Sequence, residues 1–297
     1  FHTFGLKAGI LACLLTGATM LPHPVFDAPA VMRRVAAERV TMLPGPPAIY
    51  QTILDHPDRS AHDLSTLRLA VTGAATVPVA MIRRMYDELG FETVVTGYGL
   101  TESTGVVTMC RHDDDVETIA TTCGRAIPGV EVRIVGDDGS EVPTGEPGEV
   151  LARGPNLMAG YFEDPTATAE AIDEDGWLHT GDIGVLDGRG YLRITDRKKD
   201  MFIVGGFNAY PAEIENAMMR HPAVAQVAVI GVADHRLGEV GKAFVVPRPG
   251  TDIDADRLIA WCREQMANYK VPRQIELVDA LPVNAANKVM KDELRAR

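Results

Sequence analysis

Three stretches of this chain hold residues whose types and spacing could do chemistry. In "TGYGLTESTG", Thr96 to Gly105, an aromatic ring (Tyr98), a hydroxyl (Thr101) and a carboxylate (Glu102) follow one another closely, with Gly97 and Gly99 leaving the backbone open to close approach. A flat ring suits a nucleobase. A hydroxyl beside a carboxylate suits a phosphate and its magnesium, because Mg2+ is held by one or two carboxylates together with substrate oxygens. In "WLHTGDIG", Asp182 is placed to accept from two ribose hydroxyls, as acidic residues do in other nucleotide sites. The basic run "ITDRKKDMFIVGGFN", Ile194 to Asn208, reads as a phosphate patch or as a solvated linker. Plainer readings stand beside the others too: a glycine-rich turn with a helix-capping Thr, and an Asx turn after Gly181.

The elements that must position these groups follow from the hydropathy pattern. From Phe1 to about Met109, short apolar runs ("TMLPG", "LRLAVTG", "ETVVTGYG") alternate with helical patterns ("VMRRVAAERV", "VPVAMIRRMYDELG"). Strands alternating with helices imply a parallel sheet, and ligands of open α/β sheets sit at the carboxyl ends of its strands. "TGYGLTESTG" falls at such an end, and so does "VTGAATVP", Val71 to Pro78, which serves equally as a ligand-side backbone or a tight strand-to-helix turn. From about Gly124 to Thr195 the signals are all β, with "DDG" and "EPG" as turns and Asp187 in "LDGRGY" as a hairpin turn residue. The last stretch mixes a helix in "AEIENAMMRHP", strands in "VAQVAVIGVAD" and "GKAFVVPR", a helix in "DADRLIAWCREQMANY" and a polar tail.

Composition narrows the partners. A 297-residue chain with 46% hydrophobic and 24% charged residues is expected to hold two or more soluble globular units. The net charge of -12 repels polyanions, which argues against general nucleic-acid binding and leaves room for a local pocket for one nucleotide. Four scattered cysteines with no C-x-x-C pairing fit a reducing cytoplasm rather than a zinc cage or a disulfide framework. The apolar stretch Ala8 to Leu21 is shorter than the ~20 residues that span a bilayer, so it reads as a buried helix and strand with no membrane span. The absence of an initiator Met points to a piece of a longer protein. Other motifs fail: Arg236 and Ala243 break the phosphate-loop pattern around Gly241 and Lys242, no H-E-x-x-H spacing occurs, and "HDDDVE" is a solvated acidic loop.

Six blocks, in order and across essentially the whole chain, resemble the adenylate-forming acyl-CoA synthetase family, which includes fatty-acid and aryl-CoA ligases, luciferases and peptide-synthetase adenylation domains. They are "FHTFG", "GYGLTES", "GEVLARGPNLMAGYF", "WLHTGDIG", "YLRITDRKKDMFIVGGFNAYPAEIE" and "LPVNAANKVMKDELR". The resemblance implies an α/β fold: residues 1–197 as part of the large AMP-binding domain (1–110 α/β, 111–197 β-rich), and 198–297 as a small mobile α+β domain pivoting near Lys199. It implies ATP, Mg2+ and coenzyme A as cofactors and a carboxylic acid as substrate. Tyr98 would stack on adenine, Thr101 would contact phosphate, and Glu102 would hold the metal. Asp182 and Arg197 would bind the ribose, with Ile194 near the base and Gly73, Ala74 and Ala75 lending backbone. His2, Gly97 and Leu100 would line the acyl pocket. Lys288 would bridge the carboxylate and the α-phosphate, and Gly205, Gly206 and Phe207 would meet the thiol arm.

Two departures from the family pattern matter. No Ser/Thr/Gly-rich loop with a lysine precedes "FHTFG", so these residues alone are expected not to adenylate any acid. Asn287 stands where the family often has Gly before the lysine, which could alter the approach of Lys288. Within the family the likeness runs to actinobacterial ligases of lipid and sterol breakdown, including those acting on steroid ring remnants. An adenylation domain that loads a carrier protein and a noncatalytic nucleotide-binding module remain the alternatives; no "DSL"-like carrier segment follows, which favours a free ligase.

Overall fold

The computed structural model describes residues 3–73, 77–251, 253–283 and 289–296. The chain divides into two compact units, one comprising residues 1–180 and 184–194 and the other residues 181–183 and 195–297.

The first unit is built on the expected α/β alternation. Strands β1 (Met42–Pro44), β2 (Leu69–Gly73) and β3 (Thr93–Tyr98) pair in parallel, and β4 (Thr108–Met109) and β5 (Arg125–Ala126) extend the sheet antiparallel. Helices Pro47–Leu54 and Val79–Leu89 make the crossovers, and Ala28–Glu38 precedes β1. The N-terminus of Ala28–Glu38 is capped by Asp27, which accepts from Ala30 N at 2.7 Å. Met32, Tyr50, Ile53, Ile82, Met85 and Val94 form the buried core between helices and sheet. The fully buried Tyr50 donates to Leu43 O (2.7 Å) and Val71 O (3.1 Å), tying its helix to the first two strands. In-register pairing of Gly73 with Gly97 brings the carboxyl ends of β2 and β3 side by side.

A second sheet runs β6 (Glu131–Val135), β7 (Gly148–Arg153), β8 (Leu178–Leu186) and β9 (Leu192–Arg197) in that order. The stretch expected to be all β also contains a short helix, Pro165–Ala171, started by Asp164, whose carboxylate accepts from Ala167 N, and by Pro165 at its first position. A further expectation fails near the start of the chain. Gly5–Leu11 is π-helical and Ala12–Thr16 is α-helical, but no residue of either is buried and no strand follows. Leu14 and Leu15 stand 69% and 87% exposed. An apolar run without a polar face needs protein on every side, and the described residues do not surround this one.

The second unit is a sheet of order β11-β10-β13-β12, formed by β10 (Phe202–Val204), β11 (Phe207–Ala209), β12 (Val224–Asp234) and β13 (Gly238–Pro247), with β14 (Gln274–Leu277) parallel to β13. On one face Phe202, Val229 and Val245 pack with Ile214 and Met218 of helix Pro211–Met218 and with Leu258 and Cys262 of helix Ala255–Gln265. On the other, Ala228, Ile230 and Phe244 pack with Leu281 and with Leu294 of helix Lys291–Arg295. The Gly241-Lys242 pair lies inside β13, and Lys242 pairs with Glu276 at 2.9 Å, so it forms no phosphate loop.

Candidate functional site

In the first unit the chain leaves β3 at Tyr98 and turns through the short helical segment Thr101–Ser103. The turn is fixed by Ser103, not by Thr101. Ser103 Oγ donates to Leu100 O (3.0 Å) and accepts from Leu100 N (3.1 Å). Thr101, exposed, makes no hydrogen bond through its hydroxyl to a described residue, and Glu102 accepts one, at Oε1, from Tyr161 Oη at 2.8 Å. The helix-capping reading of Thr101 is therefore replaced: capping falls to Ser103, and two hard oxygen donors are left for a ligand. The carboxylate in turn pushes the Tyr161 phenol above its ordinary pKa by accepting its proton in a hydrogen bond.

Tyr98 packs against two adjoining apolar clusters, one containing Val107, Val130 and Ala152, the other Ile134, Val150 and Leu192. Ile194 packs against the second as well, so the proposed base-facing ring and its apolar neighbour share one wall. Gly97 and Gly99 are explained by the protein's own backbone. A Cβ at Gly99 would lie 2.5 Å from Val106 N and Cα, and one at Gly97 would lie 3.0 Å from Thr108 O. A close approach of chain to chain therefore occurs at both glycines. Leu100 precedes the turn, and Gly73 ends β2.

In the second unit Asp182, carried on β8, and Arg197, at the end of β9, approach to 3.6 Å (Oδ1 to Nε), with side chains 14% and 55% exposed. Asp182 is a strand residue, so the Asx-turn reading does not hold. Gly181, with φ 68°, puts a left-handed residue just before it. Asp187 is the turn residue expected, its Oδ1 accepting from Arg189 N and Tyr191 N.

Beside Arg197 lies a group that sequence reasoning missed. Asp196 is 6% exposed, and its carboxylate accepts from Arg197 N (2.6 Å) and Ala212 N (2.8 Å). The second bond caps helix Pro211–Met218, whose own N-cap residue, Tyr210, supplies no side-chain cap. Burial pushes the Asp196 carboxyl up to about 6; the two N–H donors and Lys291 oppose that rise and Glu215 adds to it. Lys199 is exposed in the turn Lys198–Asp200. Gly205 and Gly206, with φ 57° and 88°, make the two-residue turn between β10 and β11 that positive φ requires. Phe207 follows, 60% exposed and stacked on Tyr269 with ring centroids 5.0 Å apart.

His2, Ala74, Ala75, Asn287 and Lys288 lie outside the described residues. The described ends of that last stretch are defined: Val283 bridges Val289, and Met290 N donates to Pro282 O at 2.8 Å. Among the described residues no cluster of three or more metal-ligating side chains occurs, and no helix is long and apolar enough to cross a membrane. None of the four cysteines is in a disulfide.

The chain belongs to the AMP-binding enzymes, whose family model matches residues 1–162, and the model of that family's C-terminal domain matches residues 213–288. It is 59% identical over 295 residues to a 7a-methyl-1,5-dioxo-octahydro-inden-4-yl propanoyl:CoA ligase of Rhodococcus jostii, covering 99% of this chain and 55% of the relative. Among solved structures it is similar to ATP-bound MatB from Rhodopseudomonas palustris (34% identity, TM-score 0.89, 99% of this chain and 58% of that one). It is also similar to the o-succinylbenzoate CoA synthetase MenE from Bacillus subtilis in complex with ATP and magnesium (31% identity, TM-score 0.87, 99% and 59%). The chain therefore spans a little over half the length of these proteins.

Proposed function

We propose that the protein joins a carboxylic acid to coenzyme A in two steps: the acid displaces pyrophosphate from ATP to give an acyl-adenylate, and the CoA thiol then displaces AMP to give the thioester. The observation that carries this reading is the commitment of Ser103 to the turn, which leaves the Thr101 hydroxyl and Glu102 Oε2 without a hydrogen bond to a described residue beyond the end of β3. Thr101 holds a phosphoryl oxygen by its hydroxyl. Glu102, whose Oε2 accepts no hydrogen bond from a described residue, fits magnesium in donor type and charge. When bound, that ion neutralises charge on the phosphate oxygens. Tyr98 faces the adenine with Ile194 beside it, and Gly73 to Ala75 lend backbone. Asp182 accepts from the ribose hydroxyls, and Arg197, 3.6 Å from it, binds the ribose beside it. Lys288 places a compact positive charge between carboxylate and α-phosphate, where catalysis is mostly positioning and charge stabilisation.

On this reading the residues from 198 onward move as a small domain about Lys199, between an orientation presenting Lys288 and one in which Gly205, Gly206 and Phe207 meet the thiol arm. His2, Gly97 and Leu100 border the acyl group. The substrate we propose is a propanoate on a fused-ring ketone of steroid origin, supported by the identity to the Rhodococcus jostii ligase. The experiment is a substrate panel on a protein carrying this chain at full family length. Acid-dependent ATP–pyrophosphate exchange and CoA thioester formation, followed by mass spectrometry, are compared for bicyclic-ketone propanoates, long-chain fatty acids, cinnamic acids and acetate. Preference for the bicyclic propanoate supports the reading, and exclusive use of acetate overturns the substrate. Pyrophosphate exchange without thioester formation overturns the second step.

A further inference from the structure

The loop Gly154–Phe162 has no role in the function proposed above, yet it clasps the metal-facing turn at several points. Met158 N donates to Glu102 O at 2.7 Å, and Asn156 Nδ2 donates to Ser103 O (3.0 Å) and Val106 O (2.7 Å). Thr104 Oγ1 donates back to Asn156 O. At the end of the loop Tyr161 Oη donates to Glu102 Oε1 at 2.8 Å. Tyr161 is itself held at the backbone, its N–H donating to Thr168 Oγ1 at 2.9 Å from helix Pro165–Ala171.

From this arrangement we propose that Tyr161 is a positioning residue which aims the Glu102 carboxylate at the magnesium of bound Mg-ATP. A glutamate on a short turn has several rotamers, and only some present an oxygen to a cation beside the phosphate. A neutral hydroxyl bonded to one oxygen selects among them, leaves the negative charge in place, and leaves Oε2 for the metal. Partners of this kind orient ligands in other metal sites, where their removal costs affinity for the ion. A purely structural role explains the bond poorly, since Tyr161 is 40% exposed and its ring adds little to any core. The adjacent Phe162, 90% exposed, offers an internal control on the same loop.

This inference rests on the proposed role of Glu102, so the test separates the two. Tyr161→Phe, Phe162→Ala and Glu102→Gln are prepared in a protein of full family length. Binding of Mn2+ in the presence of ATP is followed by electron paramagnetic resonance, and the Mg2+ dependence of pyrophosphate exchange is measured beside it. Tyr161→Phe is expected to raise the divalent-ion concentration for half-saturation by about tenfold, with the thermal midpoint and the acid KM unchanged and Phe162→Ala behaving as the parent. A parental half-saturation in Tyr161→Phe, with that of Glu102→Gln raised, overturns the positioning role and leaves the site reading intact. Weaker binding of ATP to Tyr161→Phe without any divalent ion, to the same degree as with it, also overturns it. If Glu102→Gln binds Mn2+ as the parent does, the metal-site reading falls and the positioning role falls with it.

Discussion

Asp196 makes the stability of the second unit depend on pH in the direction opposite to most acids. Its carboxyl, 3.8 when solvated, sits at about 6 in the folded unit because burial outweighs its two N–H donors. A raised folded-state pKa means that the folded state holds the proton more tightly than the unfolded one. The contribution is therefore most favourable below about pH 4 and declines as pH rises through about 6, by roughly 3 kcal/mol in all, of which about 2 falls between pH 4.5 and 8. Lys291, Glu215 and the N-terminus of helix Pro211–Met218 face the same carboxyl, so other titrations overlap with its own. Comparison with Asp196→Asn, which does not titrate, cancels them. The assay is urea unfolding followed by Trp261 fluorescence, in a Trp177→Phe background so that only the tryptophan of the second unit reports. The stability of Asp196→Asn relative to the parent should improve by about 2 kcal/mol from pH 4.5 to 8. Parallel pH profiles would show that Asp196 keeps an ordinary carboxylate pKa, and the burial argument would fail.

Tyr50→Phe should cost the first unit about 1 to 2 kcal/mol, read by denaturant midpoint, because Leu43 O and Val71 O lose a donor, although Val71 O keeps Gly45 N at 3.0 Å. Gly99→Ala places a methyl 2.5 Å from Val106 backbone, so the turn must open. A destabilisation of about 1 to 3 kcal/mol is expected, together with weaker nucleotide binding by calorimetry. Under the proposed function, Lys288→Ala should slow adenylation about a hundredfold or more while leaving thioester formation from supplied acyl-adenylate largely intact; equal losses in stopped-flow assays of both halves would contradict domain alternation. Lys199→Pro should trap one orientation by fixing φ and so abolish one half-reaction only.

What the sequence made legible was local. The strands ending in Gly73 and Tyr98 were readable because apolar runs of strand length alternate there with amphipathic helices, and their parallel pairing followed. Asp187 was readable because its turn is closed by residues two and four positions on. Interactions between distant residues were not readable. Tyr161 meets Glu102 across 59 positions, and Asp196 caps a helix 16 positions away. The close return of Thr108 past Gly97 and of Val106 past Gly99 is likewise not readable from the sequence. Helix Pro165–Ala171 did carry a signal, the Asp-Pro pair that opens it, but it was overridden by the β pattern on both sides. The apolar start of the chain was misjudged for a different reason: hydropathy measures a tendency to be buried, not the presence of a neighbour to bury against.

The proposed hold of Asp182 on the ribose of a bound adenylate is open to calorimetric titration with a non-hydrolysable acyl-adenylate analogue. The parent should bind. Asp182→Ala should bind about 10- to 100-fold more weakly, the loss expected for hydrogen bonds to a charged acceptor, and removing the ribose hydroxyls from the analogue should cost the parent as much while costing Asp182→Ala nothing further. Equal affinities of parent and Asp182→Ala for the intact analogue would contradict the account.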